Sequence, residues 1–393
     1  MKDADPETTA ISPSIRHLQD QLIEKVKRSW PVSEPVIQAF YRVPRHHFIR
    51  RFLKQGHPNC IEVTSANLEE HLALFYEDRP ITLHGEGGAP TATISQPTMV
   101  LGMLELLQLE PGQKVFELGA GSGWNAALIG NLVGPGGKVV SVEIIPELAQ
   151  SARETIESLG LGNVSIRQGD GGDGCEQEAP FDRAVFTAAA YDLPRAFYRQ
   201  VKDGGLLLFV FQNKIPNMAD HLLVLRKVED HFESVDMRGC SFVPLSGKYQ
   251  RGPAQARPLD VALSEAKVSN VPTGTRPFWG YFFEAMWPLC DYLSLTEPGF
   301  EVVQLAVGKP CFALRDGDSW VVAEPKGLVS YGNSRAQQLL VQKIKDWIEL
   351  GTPMLFSMKV RAYPKDIPVT PGQGQWVLER PESRFVFSLA MSP

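Results

Sequence analysis

Apolar residues recur along this chain with two different periods, and each change of period marks a change of architecture. Helical spacing begins near Ile15 and places Leu18, Leu22, Ile23 and Val26 on one side. Trp30-Pro31 breaks that run, and Ser33 is positioned to cap a second helix whose stripe is Val36, Ile37 and Phe40. A further helix from Met99 to Leu109 presents Met99, Met103, Leu106 and Leu107 before Pro111-Gly112 stops it. Between them "GEGGAP", Gly85 to Pro90, reads as a flexible turn leading into "TATISQP". After a disordered tail over 1–12, residues 13–110 are therefore expected to form a helical lid and substrate wall.

From there the period alternates. Short apolar runs at 114–118, 138–144, 164–168, 183–188 and 206–211 are interleaved with helical stretches near 123–132, 146–159 and 194–202. This alternation predicts an α/β fold, a Rossmann-like sheet over 111–250 with helices on both faces. "HLLVLRKVEDHFESVDMR" departs from it: two extended segments meet near Glu229 to His231, so the sheet is expected to end in an antiparallel hairpin. Together 13–250 read as one catalytic domain. Residues 251–275, rich in Pro, Ala and Gly, predict a linker, and 276–393 a C-terminal α+β domain. That domain opens on an aromatic helix, Phe278 to Tyr292, and continues in strands at 301–307, 311–315 and 319–323, with Gly317 in a hairpin turn. A helix from Ser334 to Leu350 and strands at 354–360 and 385–389 complete it. Its aromatics read as core, and no catalytic constellation stands out there.

Composition narrows the partners. The chain carries 39 Lys and Arg against 45 Asp and Glu, a net charge of −6. Nonspecific nucleic-acid binding needs a basic face, so no such partner is expected. No uninterrupted apolar run reaches the roughly 18 residues of a membrane span, and "MKDADPETTA" lacks a signal peptide's apolar core. These features predict a cytoplasmic protein without a membrane partner. Cys60, Cys175, Cys240, Cys290 and Cys311 lie too far apart for C-x-x-C redox or zinc patterns and are expected to be reduced, most of them buried. His46-His47 invites a metal reading, but adjacent side chains diverge on a helix or strand, so no metal is expected.

Chemistry concentrates where the first central strand ends. Lys114 to Gly123, "KVFELGAGSG", runs from a strand into a glycine turn and then a helix, and Gly119, Gly121 and Gly123 leave room for a close ligand. A dinucleotide fingerprint wants a third glycine where this chain has Trp124. Glu117 would repel a pyrophosphate but attract the ammonium and sulfonium charges of S-adenosylmethionine. Glu143 ends the next strand, where a carboxylate accepts hydrogen bonds from both ribose hydroxyls. Asp170, between Gly169 and Gly171, follows the third strand and is placed to cap the adenine edge while Gly171 leaves room for the ring. The expected cofactor set is Glu117, Gly119, Ala120, Gly121, Ser122, Gly123, Asn125, Glu143, Ile144, Asp170 and Gly171. S-adenosylmethionine is the expected cofactor and S-adenosylhomocysteine its product. Each carboxylate also has a plainer reading: Glu117 as a partner of loop amides, Glu143 as a structural group, Asp170 as a turn former. Trp124 is either a filler beside the turn or a cofactor contact.

Several pieces of the chain together resemble one family, the protein-L-isoaspartate O-methyltransferases. They are "VPRHHF" (Val43 to Phe48), "YEDRPI" (Tyr76 to Ile81), "ATISQP" (Ala92 to Pro97), "ELGAGSGWNAAL" (Glu117 to Leu128), "GDG", "AAAYDLP" (Ala188 to Pro194), "VKDGGLL" and "FVPLSG" (Phe242 to Gly247). The resemblance covers about residues 20–248 and leaves the rest of the chain uncovered, an excess unusual for the compact family enzymes. It implies a class I methyltransferase fold that passes a methyl group from S-adenosylmethionine to the free carboxylate of L-isoaspartyl residues in damaged proteins or peptides, leading through a succinimide to repair. By the same resemblance Ser95 is the catalytic hydroxyl, with Thr93, Ile94, Gln96, Pro97 and Ala189 around the substrate. Without it, Ser95 reads equally as a cap for the helix that Pro97 opens. "VFQNKIP" after "VKDGGLLLF" departs from the family's pattern, so contacts near Val210 to Asn213 are expected to differ. The long C-terminal block leaves two alternatives open. One is a carboxyl methyltransferase that modifies aspartate in a dedicated precursor peptide or protein, with 276–393 binding that client; the other is a non-enzymatic S-adenosylmethionine-binding substrate adaptor.

Overall fold

The computed structural model describes residues 12–54, 60–213, 220–250, 257–258, 267–269, 288–304, 311–324 and 327–389. The expected tail up to residue 11, most of the expected linker and the first part of the aromatic Phe278 to Tyr292 helix lie outside these residues. By contact the chain separates into two compact units, 1–187 with 200–202 and 188–199 with 203–393, so the stretch 13–250 straddles both.

In the first unit, α1 (Pro13–Ser29) and α2 (Glu34–Arg42) bury the stripes their spacing predicts, Leu22, Ile23 and Val26 on one and Val36, Ile37 and Phe40 on the other. Ser33 occupies the N-cap of α2 but its side chain does not cap it. Its N–H and hydroxyl instead donate to the Glu105 carboxylate at 2.6 and 2.7 Å, a charge-assisted pair. The expected helical segment also carries a small sheet that the sequence did not announce. β1 (Arg51–Leu53), β2 (Cys60–Glu62), β3 (Ile81–Glu86) and β4 (Ala89–Ile94) pair antiparallel in the order β2-β1-β3-β4, with α3 (Leu68–Phe75) inserted. These strands are too short and too exposed for the apolar pattern to reveal them. "GEGGAP" closes the β3–β4 hairpin on Gly87 and Gly88, whose φ values of +57° and +84° suit glycine alone. α4 (Pro97–Leu107) follows β4 directly and stops on a left-handed Gln108, before Pro111-Gly112 is reached.

The central alternation is present. β5 (Lys114–Leu118), α5 (Trp124–Val133), β6 (Lys138–Glu143), α6 (Pro146–Ser158), β7 (Val164–Gln168) and β8 (Phe181–Phe186) succeed one another. β5 pairs in parallel with β6 and β8, and β6 with β7. Beyond their first residue, β5 and β6 are wholly buried, as parallel strands covered on both faces must be. Their carboxyl ends form one edge, where ligands of open α/β sheets bind.

Next in the chain, α7 (Ala196–Gln200) is shorter than the expected 194–202, because β9 (Val201–Phe211) begins at once and absorbs "VKDGG". β10 (Asp220–Val228) and β11 (His231–Cys240) make the expected hairpin. β12 (Arg257–Pro258) and β13 (Lys267–Ser269) are brief, and α8 covers 288–296. Then come β14 (Phe300–Gln304), β15 (Cys311–Asp316), β16 (Ser319–Glu324), β17 (Gly327–Tyr331), α9 (Arg335–Glu349), β18 (Met358–Pro364), β19 (Gln375–Glu379) and β20 (Ser383–Leu389). Within the second unit the hairpin is extended rather than terminal: β11 pairs with β18, β18 with β20 and β20 with β19. A second sheet runs β12-β14-β15-β16-β17-β13. Phe209 and Phe211 pack against Phe385 in the core of the first of these sheets. All five cysteines are free, but only Cys240 and Cys290 are buried, fewer than expected.

Candidate active site

The glycine turn is built by the close approach of strands. Gly119 has φ +90°, and a Cβ there would lie 2.5 Å from the Thr187 hydroxyl, which donates to the Gly119 and Leu118 carbonyls. Gly121 has φ +53°, and its Cβ direction meets the Thr93 carbonyl at 3.5 Å. The turn therefore abuts the end of β4, the strand that leads into Ser95. Ala120 is buried, and Ser122 accepts a hydrogen bond from the Trp124 N–H at 3.3 Å. Gly123 caps α5 in a left-handed conformation.

Glu117 does not face solvent. The parallel register sets it beside Ser141, whose hydroxyl donates to it, and Asn125 on the first turn of α5 donates from the other side at 2.7 Å. Burial pushes its pKa up to about 7 even though both hydrogen bonds favour the charged form. Of its alternative readings, satisfaction by nearby polar groups describes its contacts, although the partners are two side chains rather than loop amides.

Glu143, 4% exposed, closes the turn from the end of β6. It accepts from the Gly121 N–H at 2.7 Å and from the Ile145 N–H at 2.9 Å, one on each oxygen. Burial raises its pKa against these bonds. Ile144 beside it is half-buried. Asp170 starts a short 3₁₀ turn, Gly171–Asp173, and accepts from the Gly172 N–H at 3.0 Å. A Cβ on Gly171 would lie 2.7 Å from Leu118 Cγ, so packing against β5 demands glycine there, whatever ring lies beyond.

Trp124 is 1% exposed, donates its indole N–H to the Val43 carbonyl at 3.1 Å and packs edge-on to Phe40. It is a filler that pins α5 to the residues after α2. A cavity of about 230 Å³ touches the turn at Gly121 and Ser122, with Phe48, Leu83 and Leu148 among its other walls. Glu143, Asp170 and Ser95 are not part of its lining.

Around Ser95 the arrangement differs from the simple cap reading. The N-cap of α4 is Gln96, and the helix receives its capping acceptor from elsewhere: Asp78 accepts from the Thr98 N–H at 2.9 Å and from the Gln96 amide at 3.0 Å. Among the described residues the Ser95 hydroxyl makes no hydrogen bond, and the residue is half-buried. Ile94 is buried, Pro97 opens α4, and Thr93 pairs with Thr82 across the hairpin. Ala189 belongs to the other unit. There its N–H and carbonyl pair with Val243 and Leu245, tying "AAAYDLP" to "FVPLSG".

Three residues carry the local geometry although the sequence assigned them no role: Arg45, Asp78 and Ser141. Ser141 stood out only as a lone hydroxyl in a buried apolar strand, and Arg45 and Asp78 only as members of quoted motifs. His46 and His47 sit on a 3₁₀ turn, and their rings nevertheless meet edge to face with centroids 4.3 Å apart. His46 pairs with the Tyr76 hydroxyl at 2.8 Å, and burial pulls its pKa down to about 4. Among the described residues no group of three or more His, Cys, Asp or Glu side chains is arranged to hold a metal.

Comparison with known proteins gives this geometry a family. The family model for protein-L-isoaspartate(D-aspartate) O-methyltransferase matches residues 17–250. The protein-L-isoaspartate O-methyltransferase of Methanothrix thermoacetophila is 38% identical over 232 residues, 59% of this chain and 96% of its own. The protein-L-isoaspartate O-methyltransferase 2 of Archaeoglobus fulgidus is 35% identical over 59% of this chain and 94% of its own. A solved protein-L-isoaspartate O-methyltransferase structure is similar at a TM-score of 0.53 and 21% identity over 87% of this chain and 96% of that one, so the fold likeness reaches beyond residue 250. With a Rossmann-like class I methyltransferase sheet and a family match across more than half its length, the chain belongs to the protein-L-isoaspartate(D-aspartate) O-methyltransferase family.

Proposed function

We propose that this protein transfers the methyl group of S-adenosylmethionine to the free carboxylate of an L-isoaspartyl residue in a protein or peptide. The observation that carries the reading is the Ser95 hydroxyl, left without a hydrogen-bond partner among the described residues while Asp78 supplies a capping acceptor for the helix. Names borne by the relatives support the same substrate class.

The strand-end residues fit the cofactor by the chemistry of their donor set. Each Glu143 oxygen accepts one backbone N–H and retains acceptor capacity for a ribose hydroxyl. Asp170 and Gly171 stand at the next strand end, and the backbone of Gly119 to Gly123 opens beside them. When bound, S-adenosylmethionine supplies an electrophilic methyl group on a sulfonium. The rest falls to the chain. A carboxylate of ordinary pKa near 4 is already ionised at pH 7, so no general base is required. Ser95 donates one hydrogen bond that fixes the carboxylate's direction without removing its charge, and Ile94 and Pro97 bring apolar surface to the same turn. The resulting ester has a better leaving group than the acid. Attack by the following main-chain nitrogen expels methanol and closes a succinimide, which water opens in part to normal aspartate.

Labelled methyl transfer to an isoaspartyl peptide and to its normal aspartyl twin tests the substrate. Base-labile label is expected on the isoaspartyl form; label confined to the normal form would identify an aspartate-directed enzyme and overturn the reading. Ser95→Ala should lower kcat by about 2 kcal/mol of barrier, the scale of a charge-assisted hydrogen bond. Equal turnover at saturating cofactor and peptide would remove Ser95 from the mechanism.

A further inference from the structure

The geometry points to Arg45 as the positioning residue for Ser95, holding the hydroxyl at a fixed place relative to the glycine turn; this rests on the role given to Ser95 above. Arg45 is 0% exposed and lies on the 3₁₀ turn Arg45–Phe48. One terminal nitrogen donates to the carbonyls of Phe75 at 2.6 Å and Glu77 at 3.3 Å. The other donates to those of Arg79 at 2.9 Å, Ile94 at 3.2 Å and Ser95 itself at 3.0 Å. All of these acceptors are backbone carbonyls. A buried guanidinium spent on main chain, with no carboxylate hydrogen-bond partner among the described residues, fixes the course of the chain instead of pairing a charge.

The same side chain reaches the cofactor side. Its guanidinium carbon lies 5.4 Å from the centroid of the Trp124 ring. Trp124 is the first residue of α5, directly after Gly123, and its indole N–H is held by Val43, two residues before Arg45. Arg45 therefore touches the Ser95 carbonyl at one end and the root of the glycine turn at the other. Lysine cannot replace it: three donors on one nitrogen do not span carbonyls fixed around a planar fork, and lysine has no flat face for the indole. Burial lowers the pKa of Arg45 to about 9, so it remains protonated at neutral pH.

The test is a double-mutant cycle in the full chain, with Arg45→Lys, Ser95→Ala and both together, reading kcat and KM for an isoaspartyl peptide alongside melting temperature. Removing the Ser95 hydroxyl is expected to cost about 2 kcal/mol, roughly 30-fold, so Arg45→Lys, acting only by misplacing that hydroxyl, should lower kcat by up to about that factor with KM unchanged. In the Ser95→Ala background the same substitution should cost almost nothing. An equal loss in both backgrounds, or a loss confined to KM, would mark Arg45 as a merely structural residue and overturn the inference. Should Arg45→Lys fail to fold, Asp78→Ala loosens the same turn from the Gln96 side and is taken through the same cycle, where additive losses are equally fatal. A crystal structure of the folded lysine or alanine variant gives a readout independent of substrate. Ser95 displaced relative to the glycine turn supports the inference, and an unmoved Ser95 ends it. If the wild-type chain labels no isoaspartyl peptide, the proposed reaction fails while this structural comparison still decides the role of Arg45.

Discussion

Replacing Glu117 by glutamine should change how stability depends on pH. Glu117 is fully buried, and burial, set against the opposing bonds from Ser141 and Asn125, raises its pKa from 4.5 to about 7. A carboxyl whose folded pKa exceeds its unfolded value binds more protons folded than unfolded between the two. Its contribution to stability is therefore complete below about pH 4.5 and is withdrawn as pH rises through about 7. A shift of about 2.5 units at about 1.4 kcal/mol each amounts to about 3–4 kcal/mol. Glutamine keeps the size of the side chain and carries no proton to lose. Urea unfolding of both proteins, followed by circular dichroism at intervals from pH 4.5 to 8, should thus show the variant gaining about 3–4 kcal/mol on the wild type across that range. The raised carboxyl of Glu143 titrates in both proteins and largely cancels in the difference. A difference independent of pH would mean that Glu117 is ionised throughout, and the account of its burial would fall.

Two packing predictions follow from the same region. Gly171→Ala brings a Cβ to 2.7 Å from Leu118 Cγ and should cost about 1–3 kcal/mol of stability, read as a lower melting temperature; an unchanged melting temperature would show that β5 yields at that point. Trp124→Phe leaves the Val43 carbonyl without its 3.1 Å donor and should cost about 1–3 kcal/mol in denaturant unfolding, and full retention of stability would refute the anchoring role of the indole.

β5 and β6 were legible in the sequence because their burial is two-sided, and the edge strand β7 because its inward residues alternate. β5 and β7 occupy the very residues their apolar runs mark, and β6 ends one residue early. β1 to β4 were not legible, since strands of three to six residues with one face half-open give no sustained alternation, and the glycine hairpin between β3 and β4 looks like any loop. The second unit divides in the same way: β14 to β16 fall near their expected places, whereas β19, only half-buried, offers just the short run Trp376 to Leu378.

Around the site the same physics separates the residues proposed to meet a ligand from the residues that hold them. Ser95, Glu143 and Asp170 sit at strand ends, and a strand end followed by a turn is a local feature that sequence displays. Ser141 reaches Glu117 only through the register of β6 on β5, and Arg45 reaches Ser95 only because a hairpin and a 3₁₀ turn from separate parts of the chain converge. No window of residues around either one contains its partner. Ser95 is the clearest instance: serine before a proline-led helix has a capping use, and a carboxylate seventeen residues earlier in the chain has taken that task over. Chemical type is thus written along the chain, while the freedom of a group to act is fixed by whichever distant residue has taken over its structural task.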